Sequence, residues 1–276
     1  MARSPVYEPA NFWIRLCEML FYPASRLLGR RTFGGVDRLT IPGAQLIVAN
    51  HISHLDPLYD AVFIRTSGRI PHIMAKSSLW KIPVLGGALT GTGQIPVDRS
   101  GSGAGQASVD AATQALADGK VVLIYPEGSV TKEPDFWPMK PKPGVAALAL
   151  SGDFPVVPVV HWGTQQIYNS YAPKRKFTPF PRKQVQVIAG PPIDLSAWRG
   201  QPVDARAIRD VSFLIMGTIK DMLAELRGEV PPTELFDPKK AARKSAAAQG
   251  PAGSGAEGKG AAAGDDPNPG DGSTGR

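Results

Sequence analysis

Apolar positions along the chain alternate between short strand-like runs and longer stretches with helical spacing. Leu46–Ala49 and Val121–Tyr125 are uninterrupted apolar runs, and the second reads as a strand covered on both faces. His72–Ala75, Gln94–Val97 and Val185–Ile188 read as further extended pieces. Val156–His161 is also strand-like, but Pro158 demotes it to an edge or a bulge. Between these runs, residues 57–65, 105–118 and 144–151 read as helices, the second stopping at Gly119, while residues 77–90 are mixed and glycine-bearing. Residues 204–227 form the longest helical pattern, with Ile208, Val211, Leu214, Ile215, Ile219, Met222 and Leu226 on one face. The alternation predicts a single α/β domain, its mostly buried mixed sheet flanked by helices.

The two ends depart from this rhythm. On a helical wheel of residues 11–22, Arg15, Glu18 and Tyr22 share a narrow wedge. Phe12, Trp13, Leu16, Met19, Leu20 and Phe21 fill most of the rest. Pro23 is expected to end the helix, and Arg26, Arg30 and Arg31 follow. Such a segment suits a helix lying in a membrane interface, or equally one packed on the protein's own core. From Pro238 onward aromatics vanish and Ala, Gly, Pro, Ser, Lys and Asp dominate, the composition of a disordered tail. The expected organisation is an amphipathic membrane-associating segment over 1–31, the α/β domain over 32–230 and the tail over 238–276.

Bulk composition narrows the classes of function. The formal net charge of the 276 residues is +7, and removing the tail's six Lys/Arg and four Asp/Glu leaves a body of +5. A modestly basic body suits anionic partners, phospholipid headgroups among them. Basic residues are not interleaved with aromatics in any known nucleic-acid module, so no nucleic-acid partner is expected. The lone Cys17 excludes an internal disulfide framework and a cysteine zinc cage. The first residues lack the pattern of a secretory signal, and no apolar stretch approaches the roughly 20 residues that span a bilayer.

Candidate chemistry gathers where strands end. In Asn50-His51-Ile52-Ser53-His54-Leu55-Asp56, His51 can take a proton near neutrality. If the backbone turns, Asp56 can hold one of its ring nitrogens, giving the base and orienter of a catalytic triad. Two other readings are a helix cap at Asp56 and a metal site from His51, His54 and Asp56. Gly93–Arg99 places Asp98 and Arg99 at the end of an extended piece, where a guanidinium can grip phosphate or simply pair at the surface. Tyr125-Pro126-Glu127-Gly128-Ser129 ends the clearest strand, with Lys132, Lys140 and Lys142 downstream. The glycines Gly86, Gly87, Gly91 and Gly93 form neither a P-loop nor a dinucleotide fingerprint.

Taken in order, these stretches resemble the PlsC-type glycerolipid acyltransferases, the 1-acyl-glycerol-3-phosphate acyltransferases. Asn50–Asp56 resembles that family's Asn-His-x-Ser-x-x-Asp block, Gly93–Arg99 its Gly-x-Ile-x-x-Asp-Arg block and Tyr125–Ser129 its aromatic-Pro-Glu-Gly-Thr/Ser block. Val156–Val159 resembles the fourth, and the likeness runs from about residue 33 to 195. The resemblance implies a glycerol-3-phosphate acyltransferase-like fold and acyl transfer from acyl-CoA or acyl-carrier protein to lysophosphatidic acid, giving phosphatidic acid. His51 would be the general base and Asp56 its partner. Arg99, Glu127 and Gly128 would bind the acceptor, with Asn50, Ser53, Lys76, Asp98, Ser129, Lys132 and Lys142 also around the substrates. No metal and no cofactor are implied, and the expected location is the cytoplasmic face of a membrane, peripheral or monotopic, against its phospholipids. The third block departs from the family where Val130 replaces an arginine, with Lys132 nearby. That departure keeps other acceptors open: glycerol-3-phosphate, dihydroxyacetone phosphate or a glycolipid. A non-catalytic lipid-binding relative and a metal-dependent hydrolase using His51 and His54 are the rival classes.

Overall fold

The structure is a computed structural model that describes residues 7–98, 104–174 and 177–248. In chain order the elements begin with α1 (Phe12–Leu28), β1 (Gly29–Gly34), β2 (Gln45–Ala49), α2 (Asp56–Thr66), β3 (Pro71–Lys76) and α3 (Leu85–Gly91). They continue with β4 (Ile95–Val97), α4 (Ala104–Ala117), β5 (Val121–Ile124), α5 (Gly144–Ala149), β6 (Val156–Trp162) and α6 (Thr164–Ile167). β7 (Lys183–Ala189), α7 (Ala205–Arg227) and α8 (Pro238–Ala248) complete the described residues. The seven strands form one sheet in the order β1-β7-β6-β2-β5-β3-β4. All neighbours are parallel except β6 and β7.

Strand alternation sorts the core into two layers. Leu46, Val48, Val122, Val156 and Val160 pack toward α4, α5 and α7. Ile47, Ala49, Val121, Leu123, Val157 and Val159 pack with Tyr59, Phe63 and Ile64 of α2. This is why the central runs carry no polar position: both faces of β2 and β5 are covered.

Several expectations are corrected. β6 is a central strand, flanked by β2 and β7, although it contains Pro158. Pairing with β7 begins only at Val159, opposite Ala189. Pro158 stands one step beyond, where its missing N–H interrupts no ladder bond and its carbonyl accepts from the Gly190 N–H at 2.8 Å. Pro23 does not end the first helix, which runs on to Leu28. The Ser25 hydroxyl donates to the Tyr22 carbonyl at 3.0 Å, satisfying an acceptor beside the interruption. Arg30 and Arg31 lie in β1, an edge strand too polar to be read as one. The glycine-bearing stretch contains α3 because Trp13 of α1 packs against Gly87 and Gly91, a close approach that larger residues would block.

The chain divides after Pro238, and the described residues beyond that point lie in the helix Pro238–Ala248, consistent with the strong helix propensity of its Ala, Lys and Arg residues. The remainder of the expected disordered tail lies outside the described residues.

Among the described residues, no helix is long and apolar enough to cross a membrane. The amphipathicity of α1 is inverted. Its Glu18 faces inward and ion-pairs with the buried Arg65 of α2, and Ile14 is buried. Phe12, Met19, Leu20 and Leu27 point outward, more than half exposed, with Arg15 and Arg26 beside them. The exposed Ile82, Val84 and Leu85 stand just before and at the start of α3, the helix against which Trp13 packs.

Candidate active site

The site lies along the carboxyl edge of the parallel strands. Val48 is opposite Ile124, so continuing that register brings His51 level with Glu127. Ile73 is opposite Leu123 and Lys76 opposite Val97, which brings the ends of β3 and β4 to the same edge. A fixed register thus gathers residues far apart in sequence.

The loop after β2 is held by buried polar groups. Asp56, in the first turn of α2 and fully buried, accepts from His51 Nδ1 at 2.8 Å with Oδ2. The same oxygen accepts from the backbone N–H groups of Ile52 at 2.7 Å and Ser53 at 2.8 Å. Oδ1 accepts from the Thr164 hydroxyl at 2.5 Å. The turn that the spacing of His51 and Asp56 required is therefore built by Asp56 itself. The His51 ring stacks on Tyr125, centroids 4.1 Å apart, and its side chain is 13% exposed. His51 is fixed on three sides and open on the remaining one.

The third block grips the backbone of His51. Glu127 Oε1 accepts from the His51 N–H at 2.9 Å, and the Thr131 N–H donates to the His51 carbonyl at 2.7 Å. Glu127 Oε2 accepts from the Met139 N–H at 3.0 Å. Burial pushes the Glu127 carboxyl up to about 8, against the two backbone N–H groups that favour its charge.

Three residues expected at the substrates therefore have internal partners. Besides Glu127, the Asn50 amide pairs with both backbone groups of His161, at 3.0 and 2.9 Å, tying β2 to β6. The Ser53 hydroxyl donates to the Tyr168 carbonyl at 2.8 Å and accepts from the Leu55 N–H. All three are buried.

The remaining candidates form a rim. Lys76, Asp98, Lys132 and Lys142 are exposed, and Gly128 and Ser129 half-buried. Lys142 donates its N–H to the Pro126 carbonyl at 2.8 Å. Its side chain comes within 3.2 Å of where a Cβ on Gly128 would stand, and Gly128 has φ +74°, so the close approach and the conformation both require glycine. Arg99 lies outside the described residues. Val130, where the family pattern has arginine, is buried. A cavity of about 250 Å³ opens beside this rim, between Lys132, Glu133 and Phe136 on one side and Asn169 and Tyr171 on the other. A second, of about 530 Å³, lies at the opposite edge of the sheet, next to Ala44 and Pro155.

The His54 ring stands edge-on to that of His51, centroids 6.4 Å apart. Its Nδ1 meets the Ser170 hydroxyl at 2.5 Å, and among the described residues no three metal-ligating side chains group together.

Sequence reasoning missed His161. Completely buried on β6, its Nε2 stands 3.0 Å from Asp56 Oδ2 and its Nδ1 3.5 Å from Asp60 Oδ1. Asp60 accepts from the Tyr125 hydroxyl at 2.6 Å. Burial works against charge on His161, but Asp56 and Asp60 outweigh it and raise its basicity. Burial likewise opposes charge on Asp56, and His161 and His51 hold its carboxyl well below the ordinary range. Strand parity was the available signal, because His161 follows Val157 and Val159 on the α2 face.

Residues 30–162 match the Acyltransferase family model. The chain is 34% identical over 129 residues to the 1-acyl-sn-glycerol-3-phosphate acyltransferase of Helicobacter pylori, covering 46% of this chain and 52% of that one. It is 31% identical over 166 residues to the N-acylphosphatidylethanolamine synthase of Arabidopsis thaliana, covering 55% and 57%. The chain thus spans a little over half the length of these curated relatives. Its fold is similar to the crystal structure of the 1-acyl-sn-glycerophosphate acyltransferase PlsC from Thermotoga maritima, with TM-score 0.58, 21% identity and coverage of 79% and 81%.

Proposed function

With residues 30–162 forming a domain of the PlsC-type acyltransferase family, we propose that the protein transfers a fatty acyl chain from acyl-CoA or acyl-carrier protein to the free hydroxyl of lysophosphatidic acid. The observation that carries this reading is the 2.8 Å contact between His51 Nδ1 and Asp56, with the ring partly open to solvent. Asp56 fixes the tautomer, leaving Nε2 to accept a proton.

In the proposed reaction the acceptor hydroxyl gives its proton to His51 Nε2 as its oxygen attacks the thioester carbonyl. The tetrahedral intermediate collapses, the C–S bond breaks and the thiolate takes the proton from His51. Oxygen replaces sulfur on the acyl carbon, and no covalent enzyme intermediate or metal takes part. Lys76, Lys132 and Lys142 supply the positive rim for the acceptor phosphate, with Asp98, Gly128 and Ser129 shaping it, and Arg99 is a further phosphate contact that the family resemblance implies. Asn50, Ser53 and Glu127 support the reaction by holding the His51 loop.

The outward apolar stripe of α1, with Arg15 and Arg26, supports attachment to the surface of an anionic bilayer, where the lipid acceptor resides. Ile82, Val84 and Leu85 extend the same attachment. A second reading changes only the acceptor. The buried Val130 removes an arginine from the rim, and the Arabidopsis relative is named for another product, which favours testing amine-bearing and phosphate-free lipids alongside.

The test is acyl transfer by purified protein from labelled palmitoyl-CoA to lysophosphatidic acid in vesicles, beside His51→Ala. Phosphatidic acid formed by the wild type alone is the expected outcome. Full activity of the variant would remove His51 from the base role, and failure with every acceptor and carrier would leave a lipid-binding protein.

A further inference from the structure

Behind the His51–Asp56 pair, a second histidine sits between two carboxylates. Asp56 and Asp60 are one helical turn apart on α2, so both point from the same face toward β6. Each faces a different nitrogen of the His161 ring, at 3.0 Å and 3.5 Å, and all three side chains are buried. A neutral imidazole has one N–H and one bare lone pair. Neither contact is an aligned hydrogen bond, so charge carries the case: either neutral tautomer would leave a bare ring nitrogen close to a carboxylate. Only the doubly protonated ring presents an N–H to each side.

Charge balance points the same way. The titratable groups that face the ring are Asp56 and Asp60 from α2; Tyr125 bonds Asp60, His51 bonds Asp56, and Glu127 lies near enough to feel the charge of His161. Among the described residues no lysine or arginine pairs with either aspartate. Two buried carboxylates without a cation would be strongly disfavoured.

We propose that His161 is a permanent imidazolium, and that it acts as a positioning residue tuning His51 through the shared Asp56. Asp56 Oδ2 then lies between two rings, one permanently charged. Its negative charge is largely matched by His161, and its Oδ2 orients His51 through the contact with Nδ1. The proton taken from the acceptor moves to His51 and on to the leaving thiolate, while His161 keeps both of its own.

The functional half of this inference rests on the proposed acyl transfer, whereas the charge state of His161 does not. The test begins with the ring nitrogens of ¹⁵N-histidine-labelled protein at pH 8. Two protonated nitrogens on His161 are expected, and one bare nitrogen overturns the proposal. His161→Gln, which keeps a donor toward Asp56 but loses the charge, is then compared with wild type. The midpoint of the His51 ring titration should move up by about one pH unit, and the acidic limb of kcat/KM should move with it. An unmoved His51 midpoint in a folded variant overturns the tuning role. If the variant does not fold, the wild-type ring state still decides the charge assignment. If no acceptor is acylated, the proposed function fails, while the ring titrations decide the role of His161 by themselves.

Discussion

The two halves of the site are built on opposite principles. In the His51 loop, backbone groups and side chains from β2, α2, β6 and the third block satisfy one another under cover, and only one side of the His51 ring reaches solvent. On the rim, Lys76, Lys132 and Lys142 stand exposed on ordinary loops and strand ends. Under the proposed reaction, the difference separates the place of chemistry from the place of recognition. A proton-transfer group needs a fixed position, which low-dielectric packing provides. Long cations that meet a charged headgroup tolerate freedom and act through charge.

That contrast can be broken most severely from the inside. His51→Ala should lower kcat by about a thousandfold or more, with little change in the acceptor KM, in the palmitoyl-CoA assay. Glu127→Ala should damage both fold and turnover, because it strands the buried N–H groups of His51 and Met139 at about 1–3 kcal/mol each. Its thermal midpoint should fall by several degrees, and an unchanged midpoint would show that the grip on His51 is dispensable.

Rim substitutions should act more mildly and on another parameter. Lys142→Ala should raise the acceptor KM by about tenfold at low salt, leaving kcat nearly intact and flattening the salt dependence. An equal fall in kcat would place Lys142 in the chemistry. Met19→Asp, on the outward stripe of α1, should weaken partitioning onto anionic vesicles by about tenfold without lowering the melting point. Trp13→Asp should do the reverse to stability, since Trp13 packs on Gly87 and Gly91.

The remaining expected effect is on the pH dependence of stability. Glu127 and His161 both have raised folded values, so their contribution to stability is present below their unfolded values and fades as pH rises. Asp56 has the opposite sign: its contribution is present above the ordinary carboxylate range and is lost as pH falls. Melting points should decline gently from mildly acidic pH to beyond about 8, and His161→Gln should flatten the alkaline part. A wild-type melting point that rises across this range would contradict both assignments.

Much of this was legible in the sequence, and the exceptions share a cause. Apolar runs marked β2 and β5, because a strand covered on both faces leaves its composition behind. The pairing of His51 with Asp56 was legible from spacing once a turn was supposed, and the structure supplies that turn through the backbone bonds of Asp56. What escaped depends on partners distant in sequence. Pro158 looked like an edge marker, yet only the length of β7 decides whether its absent N–H matters. β1 is polar because it borders the sheet, and α3 exists because Trp13 packs on its glycines. His161 escaped because its partners, Asp56 and Asp60, lie about a hundred residues before it.

The junction between α1 and β1 has a mechanical consequence. The helix ends at Leu28 and the strand starts at Gly29, with no intervening residue. A Cβ at Gly29 would come within 2.8 Å of the Tyr59 hydroxyl and of Val185, so the splice is as tight as a backbone allows. The helix therefore cannot roll about its axis without shearing β1 away from β7. Under the proposed attachment of the outward stripe of α1 to a bilayer, the tilt of the sheet would be set with that of the helix, and the open side of His51 would meet the lipid surface at one angle.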